Sequence, residues 1–238
     1  MKAVLIAAGR GTRLWEKTFR LPKTLLPFGE ETILSQILKN FGSIGISDFV
    51  LVIGFRARLI REYLGEHNYF GFHVTFVENR EWRRGNGLSV YAARARIKED
   101  EQFVLSMSDH LVSPKALEEI YTATSDKNLL LVDPRLNIVY DLEDATKVLF
   151  RKSRILSIGK KLDDYNGIDC GIFRLNHSFF RAAARQIPLG KESVSEAVEV
   201  LIDENHVAPV IIPEHCFWID IDTPASYQDA LAFKEKFV

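Results

Sequence analysis

The chain has 238 residues, 47% hydrophobic and 26% charged, which is enough apolar material for one large α/β domain and argues against disorder. Lysine and arginine total 31 against 32 acids, a formal net charge of -1, so the basic excess that nucleic acid would call for is missing. The 2 cysteines, Cys170 and Cys216, lack metal-ligand or redox spacing, which excludes a disulfide framework and a structural zinc site and suits a reducing, cytoplasmic setting.

Val4 to Ala7 is apolar and β-favouring and reads as the first strand. Ile33, Leu34, Ile37, Leu38 and Phe41 recur at helical spacing behind Thr32, a capping residue. A strand at Phe49 to Ile53, a helix near Leu59 to Leu64, a strand at Val74 to Val77 and a helix from Leu88 to Ile97 follow. Next come a strand at Phe103 to Met107, a helix from Pro114 to Thr122 and a strand at Leu129 to Val132. Alternating strands and helices predict a doubly wound, mostly parallel α/β sheet of the Rossmann-like kind.

After residue 133 the rhythm changes. Strands are expected at Thr146 to Phe150, Ile155 to Ile158, Ile168 to Leu175, Val210 to Ile212 and Phe217 to Ile221. Helices are expected near Phe179 to Arg185, at Val194 to Asp203 and beyond Pro224. The expectation is one domain on a mixed sheet, with a nucleotide-binding half over about 1–133 and an acceptor-binding half over about 134–238. The apolar opening is too short for a signal peptide, and nothing approaches the roughly 20 apolar residues that span a bilayer, so no direct membrane insertion is expected.

The first strand enters Ala7-Ala8-Gly9-Arg10-Gly11-Thr12-Arg13. A P-loop needs a glycine and a dinucleotide fingerprint its third glycine where Leu14 stands, so neither fits. What remains is G-x-G-T-R with Pro22-Lys23 further on. Glycines admit phosphate oxygens close to backbone N–H groups, and Arg13 and Lys23 bring cations to a polyanion.

Two acidic segments follow β-favouring runs. Asp109 lies just past Phe103 to Met107, where open α/β sheets bind ligands; alone it reads more readily as a turn or cap residue. In Phe217-Trp218-Ile219-Asp220-Ile221-Asp222, strand alternation puts Asp220 and Asp222 on one face. Carboxylates from two strands, completed by phosphate oxygens and water, suit Mg2+.

These motifs resemble the nucleotidyltransferase superfamily that activates sugar phosphates. The resemblance implies that Ala7, Ala8, Gly9, Gly11 and Thr12 wrap a triphosphate, that Arg13 holds its outer phosphates and that Lys23 contacts the α-phosphate. It further implies Mg2+ on Asp109 and Asp222, with Asp220 as the competing ligand, and a base read near Gly85-Asn86-Gly87. There the two glycines would let backbone meet a flat ring. Ser108-Asp109-His110, Asp144-Ala145-Thr146-Lys147, Ile158-Gly159-Lys160, Asp169-Cys170-Gly171 and Trp218 to Thr223 are similar to CTP:inositol-1-phosphate cytidylyltransferases.

That narrower resemblance implies transfer of a cytidylyl group from CTP to inositol 1-phosphate, giving CDP-inositol and pyrophosphate. Lys147, Lys160 and the Gly171 backbone would hold the acceptor phosphate; His110 reads equally as an acceptor contact or a structural histidine. Some relatives carry a fused membrane-embedded synthase that uses the product. With no such segment up to Val238, a separate membrane-bound synthase is expected to receive it, in phospholipid or compatible-solute synthesis. A phosphocholine or sugar-1-phosphate nucleotidyltransferase using CTP, UTP or dTTP is the alternative reading.

Overall fold

The computed structural model describes residues 1–11, 13–14, 21–138 and 141–237. The first half contains β1 (Lys2–Ala7), β2 (Pro27–Phe28), β3 (Glu31–Thr32), α1 (Ile33–Ser43), β4 (Asp48–Ile53), α2 (Ala57–Glu66), β5 (His73–Glu78), α3 (Asn86–Ala92), β6 (Phe103–Met107), β7 (His110–Val112), α4 (Pro114–Thr122) and β8 (Asn128–Asp133). The second contains β9 (Lys147–Arg151), β10 (Arg154–Gly159), β11 (Gly167–Leu175), α5 (His177–Gln186), α6 (Val194–Asp203), β12 (Val207–Ile211), β13 (Trp218–Asp220) and α7 (Pro224–Ala232).

Helix starts follow their caps. Thr32 accepts the Ser35 N–H and Ser35 answers the Thr32 N–H, while Ser193 with Glu196 and Thr223 with Ser226 repeat the device. The helix expected through Ile97 ends at Ala92 and tightens into a 3-10 turn over Ala93–Arg96, a usual way for a helix terminus to satisfy its last carbonyls.

The central sheet runs β10-β9-β11-β6-β1-β4-β5, with β8 beside β11 and β12 beside β8. β6, β1, β4 and β5 are parallel. β11 runs antiparallel to β6, β8 and β9, which joins the two halves of the chain in one mixed sheet. Alternation along β1 sends Ala3, Leu5 and Ala7 into a core with α1, α2 and α4, and Val4 and Ile6 into a core with α3, α5 and α6. The result is a three-layer α/β domain.

Strand order reverses at β1, whose neighbours are β4 and β6. Loops leaving the carboxyl ends of β1 and β6 therefore flank a crevice, the usual ligand site of such sheets. The late acidic strand does not join the central sheet. β13 pairs antiparallel with β7, placing Asp220 opposite His110, and the Ile221 N–H donates to the Asp109 carbonyl at 3.0 Å.

Candidate active site

The crevice is a cleft of about 440 Å³, within the range of small-molecule sites. Ala7, Gly9, Gly11, Arg13 and Lys23 line one side. Gly11 has φ +65, and a Cβ there would lie 2.8 Å from the Lys23 Cβ. Only glycine meets both demands. Ala8 is buried, with its carbonyl accepting the Phe55 N–H at 2.9 Å. Thr12 lies outside the described residues.

Lys23 follows Pro22 at the start of a 3-10 turn and is buried. Its ammonium pairs with Asp109 and with Asp222. Arg13 pairs with Asp222 through one terminal nitrogen, and with Asp144 at 2.7 Å through the other. Burial works against the Lys23 charge, but Asp109, Asp222 and Asp220 outweigh it and raise its pKa. Asp109 answers in kind: burial favours its neutral form, yet Lys23 and His110 hold the carboxyl well below the usual range.

The β7–β13 ribbon brings the acids together. Ile219 and Ile221 are buried while Asp220 and Asp222 face the cleft, the alternation expected of a strand. One ligand atom from each of Asp109, His110 and Asp220 lies within 4.8 Å of the others. Asp220 Oδ1 is buried without a hydrogen-bond partner, whereas both Asp222 oxygens are engaged by cations. An orphaned carboxylate oxygen in an oxygen-rich pocket suits a hard divalent cation, so Asp220 fits a metal better than Asp222. Burial, with repulsion from Asp109 and Asp222, pushes the Asp220 carboxyl up to about 6.

His110 Nδ1 meets Asp109 Oδ1 at 2.8 Å, and the ring stacks on Trp218 with centroids 6.0 Å apart. Gly171 has φ +74, and a Cβ there would reach 2.3 Å from the imidazole Cδ2. Its N–H donates to Asp169 Oδ1 at 2.7 Å. The β11 register against β8 shifts between Asp169 and Phe173, and both Asp169 and Gly171, two apart in the strand, line the cleft.

The two lysines expected at the acceptor part company. Lys160 lines the cleft, its ammonium 2.7 Å from Asp144. Lys147 is buried behind it and donates to the carbonyls of Glu143 and Lys160 at 3.1 and 2.8 Å. Trp82, Arg84 and Asn86 also line the cleft. Gly85 and Gly87 pack on other backbone: an added Cβ would lie 2.3 and 2.5 Å from the Glu192 carbonyl oxygen. Arg84 reaches the Glu192 carboxylate, and Asn86 Oδ1 accepts the Val194 N–H at 2.9 Å.

Trp82, Arg84, Asp141, Asp144 and Asp169 are cleft residues that motif reading left out. Asp144 and Asp169 sat inside recognised segments, so their signal was present. Nothing local marked Trp82 or Arg84.

A nucleoside triphosphate site predicts both a phosphate loop and paired acids at this switch point, and residues 2–236 match the nucleotidyl transferase family model. The chain belongs to the nucleotidyl transferase family. It is 32% identical over 236 residues to the bifunctional IPC transferase and DIPP synthase of Aquifex aeolicus, covering 98% of this chain and 52% of that protein. The chain thus spans about half the length of that curated relative. It is 40% identical over 82 residues to the glucose-1-phosphate cytidylyltransferase of Salmonella typhimurium, 34% of this chain and 32% of that one. The structure of the inositol-1-phosphate CTP transferase from T. maritima superposes with a TM-score of 0.89 at 26% identity, over 99% of this chain and 95% of that chain. Among the described residues no helix is long and apolar enough to cross a membrane.

Proposed function

We propose that the chain transfers the cytidylyl group of CTP to inositol 1-phosphate and releases pyrophosphate. The observation that carries this reading is the meeting of Arg13 and Lys23 with Asp109, Asp220 and Asp222 in one cleft. The likeness in sequence and fold to the Aquifex and T. maritima proteins supports the choice of substrates. A phosphate monoester loses its second proton near pH 6, so the acceptor is already mostly a dianion at neutral pH and needs no general base. The obstacle is bringing two anions together, and the residues serve position and charge.

Asp109 and Asp220 would hold Mg2+, which when bound supplies charge neutralisation on phosphate oxygens. Gly9 and Gly11 present backbone to the triphosphate, Lys23 faces the α-phosphate and Arg13 the departing pyrophosphate. Lys160 and the Gly171 backbone orient the acceptor. The acceptor oxygen bonds to the α-phosphorus as the bond to the β-phosphate oxygen breaks, in line.

Pyrophosphate release from CTP, UTP or dTTP with inositol 1-phosphate, phosphocholine or glucose 1-phosphate tests the pairing. Only CTP with inositol 1-phosphate is expected to turn over efficiently. Lys23→Ala should lower that turnover by about 10² to 10³, as for loss of one preorganised donor. Preference for glucose 1-phosphate would move the chain to the second reading, which the 40% identity over 82 residues favours.

A further inference from the structure

We propose that Asp133 and Trp218 are positioning residues for the Asp109 carboxylate, acting through the imidazole of His110; this rests on the reading of Asp109 as a metal ligand. Asp133 is fully buried at the carboxyl end of β8. Its Oδ1 accepts the Arg135 backbone N–H at 2.9 Å and Arg135 Nε at 2.8 Å. Its Oδ2 accepts an Arg135 terminal nitrogen and the Trp218 indole N–H, both at 2.8 Å. The same guanidinium donates to the carbonyls of Glu214 and Cys216. One carboxylate therefore fixes the approach to β13 and the rotation of the indole.

The indole in turn lies 12° from parallel with the His110 ring. Gly171 closes the remaining space on the imidazole. So held, His110 directs Nδ1 onto Asp109 Oδ1 at 2.8 Å, while Lys23 holds Oδ2. A carboxylate turns easily about its last torsion, and without the His110 donor Asp109 would lose its set angle. Stability alone does not account for Asp133, because a buried ion pair is often matched or bettered by apolar packing. Outer partners that orient metal ligands commonly carry a 10–100-fold effect on metal affinity.

The test titrates Mn2+ into the full chain with CTP present, for wild type, Trp218→Phe, His110→Gln and the double variant, alongside thermal melting. Trp218→Phe keeps a ring beside His110 but deletes the indole donor together with the second ring. Its Mn2+ affinity should fall about 10-fold with folding intact. The double variant should bind no more weakly than His110→Gln, because both changes act on one path. Asp133→Asn offers one acceptor oxygen where four donors converge and sets an amide NH2 against the rest; it should reproduce the loss and replaces Trp218→Phe if that variant does not fold. Wild-type affinity in both Trp218→Phe and Asp133→Asn, or additive losses in the double variant, overturns the positioning role alone. A wild-type chain that binds no Mn2+ overturns the metal reading and the proposal with it.

Discussion

Among single residues, His110 registers the charge of the site in a window that can be titrated. Burial works against its protonated form, but Asp220, Asp109 and Asp169 outweigh that and push its pKa up to about 9. The ordinary value is about 6.5. The folded chain therefore keeps a proton that the unfolded chain releases. Its contribution to stability is complete below about pH 6.5 and is lost as pH rises through about 9. In metal-free protein the melting temperature should fall across that window, and His110→Gln should flatten the fall. Parallel curves for the two proteins would refute the assignment. Lys147 shows where residue-level reading from sequence stops. Its place in Asp-Ala-Thr-Lys is evident, but its ammonium turns to the carbonyls of Glu143 and Lys160, which no pattern in the chain announces.

At the level of elements, the parallel strands and the capped helices were legible because each carries a periodic or chemical signal of its own. β6, α4 and α6 occupy the spans read from the sequence: an apolar run over Phe103–Met107, and helices over Pro114–Thr122 and Val194–Asp203. The β7–β13 ribbon was not legible as a pairing. Three residues per strand hold too little periodicity, and the partners lie far apart in the chain, yet this ribbon sets Asp109 beside Asp220. The glycine pair at the start of α3 likewise reads in sequence as room for a ring, and Glu192 and Ser193 stand in that room. Gly87→Ala should force α3 from the start of α6, costing about 1–3 kcal/mol as overpacking does. The wall bearing Trp82, Arg84 and Asn86 moves with that contact, so nucleotide KM should rise with the loss of stability. A drop in melting temperature with unchanged nucleotide KM would separate the wall from the packing.

Across the whole molecule, positive and negative groups of the cleft neutralise one another. Lys23 bridges Asp109 and Asp222, and Arg13 bridges Asp222 and Asp144. With Asp109 and Asp220 as its proposed ligands, a divalent ion arriving alone must displace Lys23 from Asp109, and a triphosphate arriving alone must draw the same lysine from the acids it leaves exposed. Arriving together, each compensates the charge that the other uncovers, so their binding should be strongly synergistic. A ligand at a hundredfold excess over its Kd adds about 2.7 kcal/mol of stability. For a domain of this size that is roughly 5–10 °C in melting temperature. CTP with Mg2+ should give a rise of that order, and CTP with chelator or Mg2+ alone a much smaller one. Lys23→Met tests the cause, because it removes the cation that competes for Asp109. The variant should bind Mn2+ more tightly than wild type in the absence of nucleotide while losing affinity for CTP. Weaker Mn2+ binding in Lys23→Met would mean that the lysine supports the metal pocket and does not occupy it.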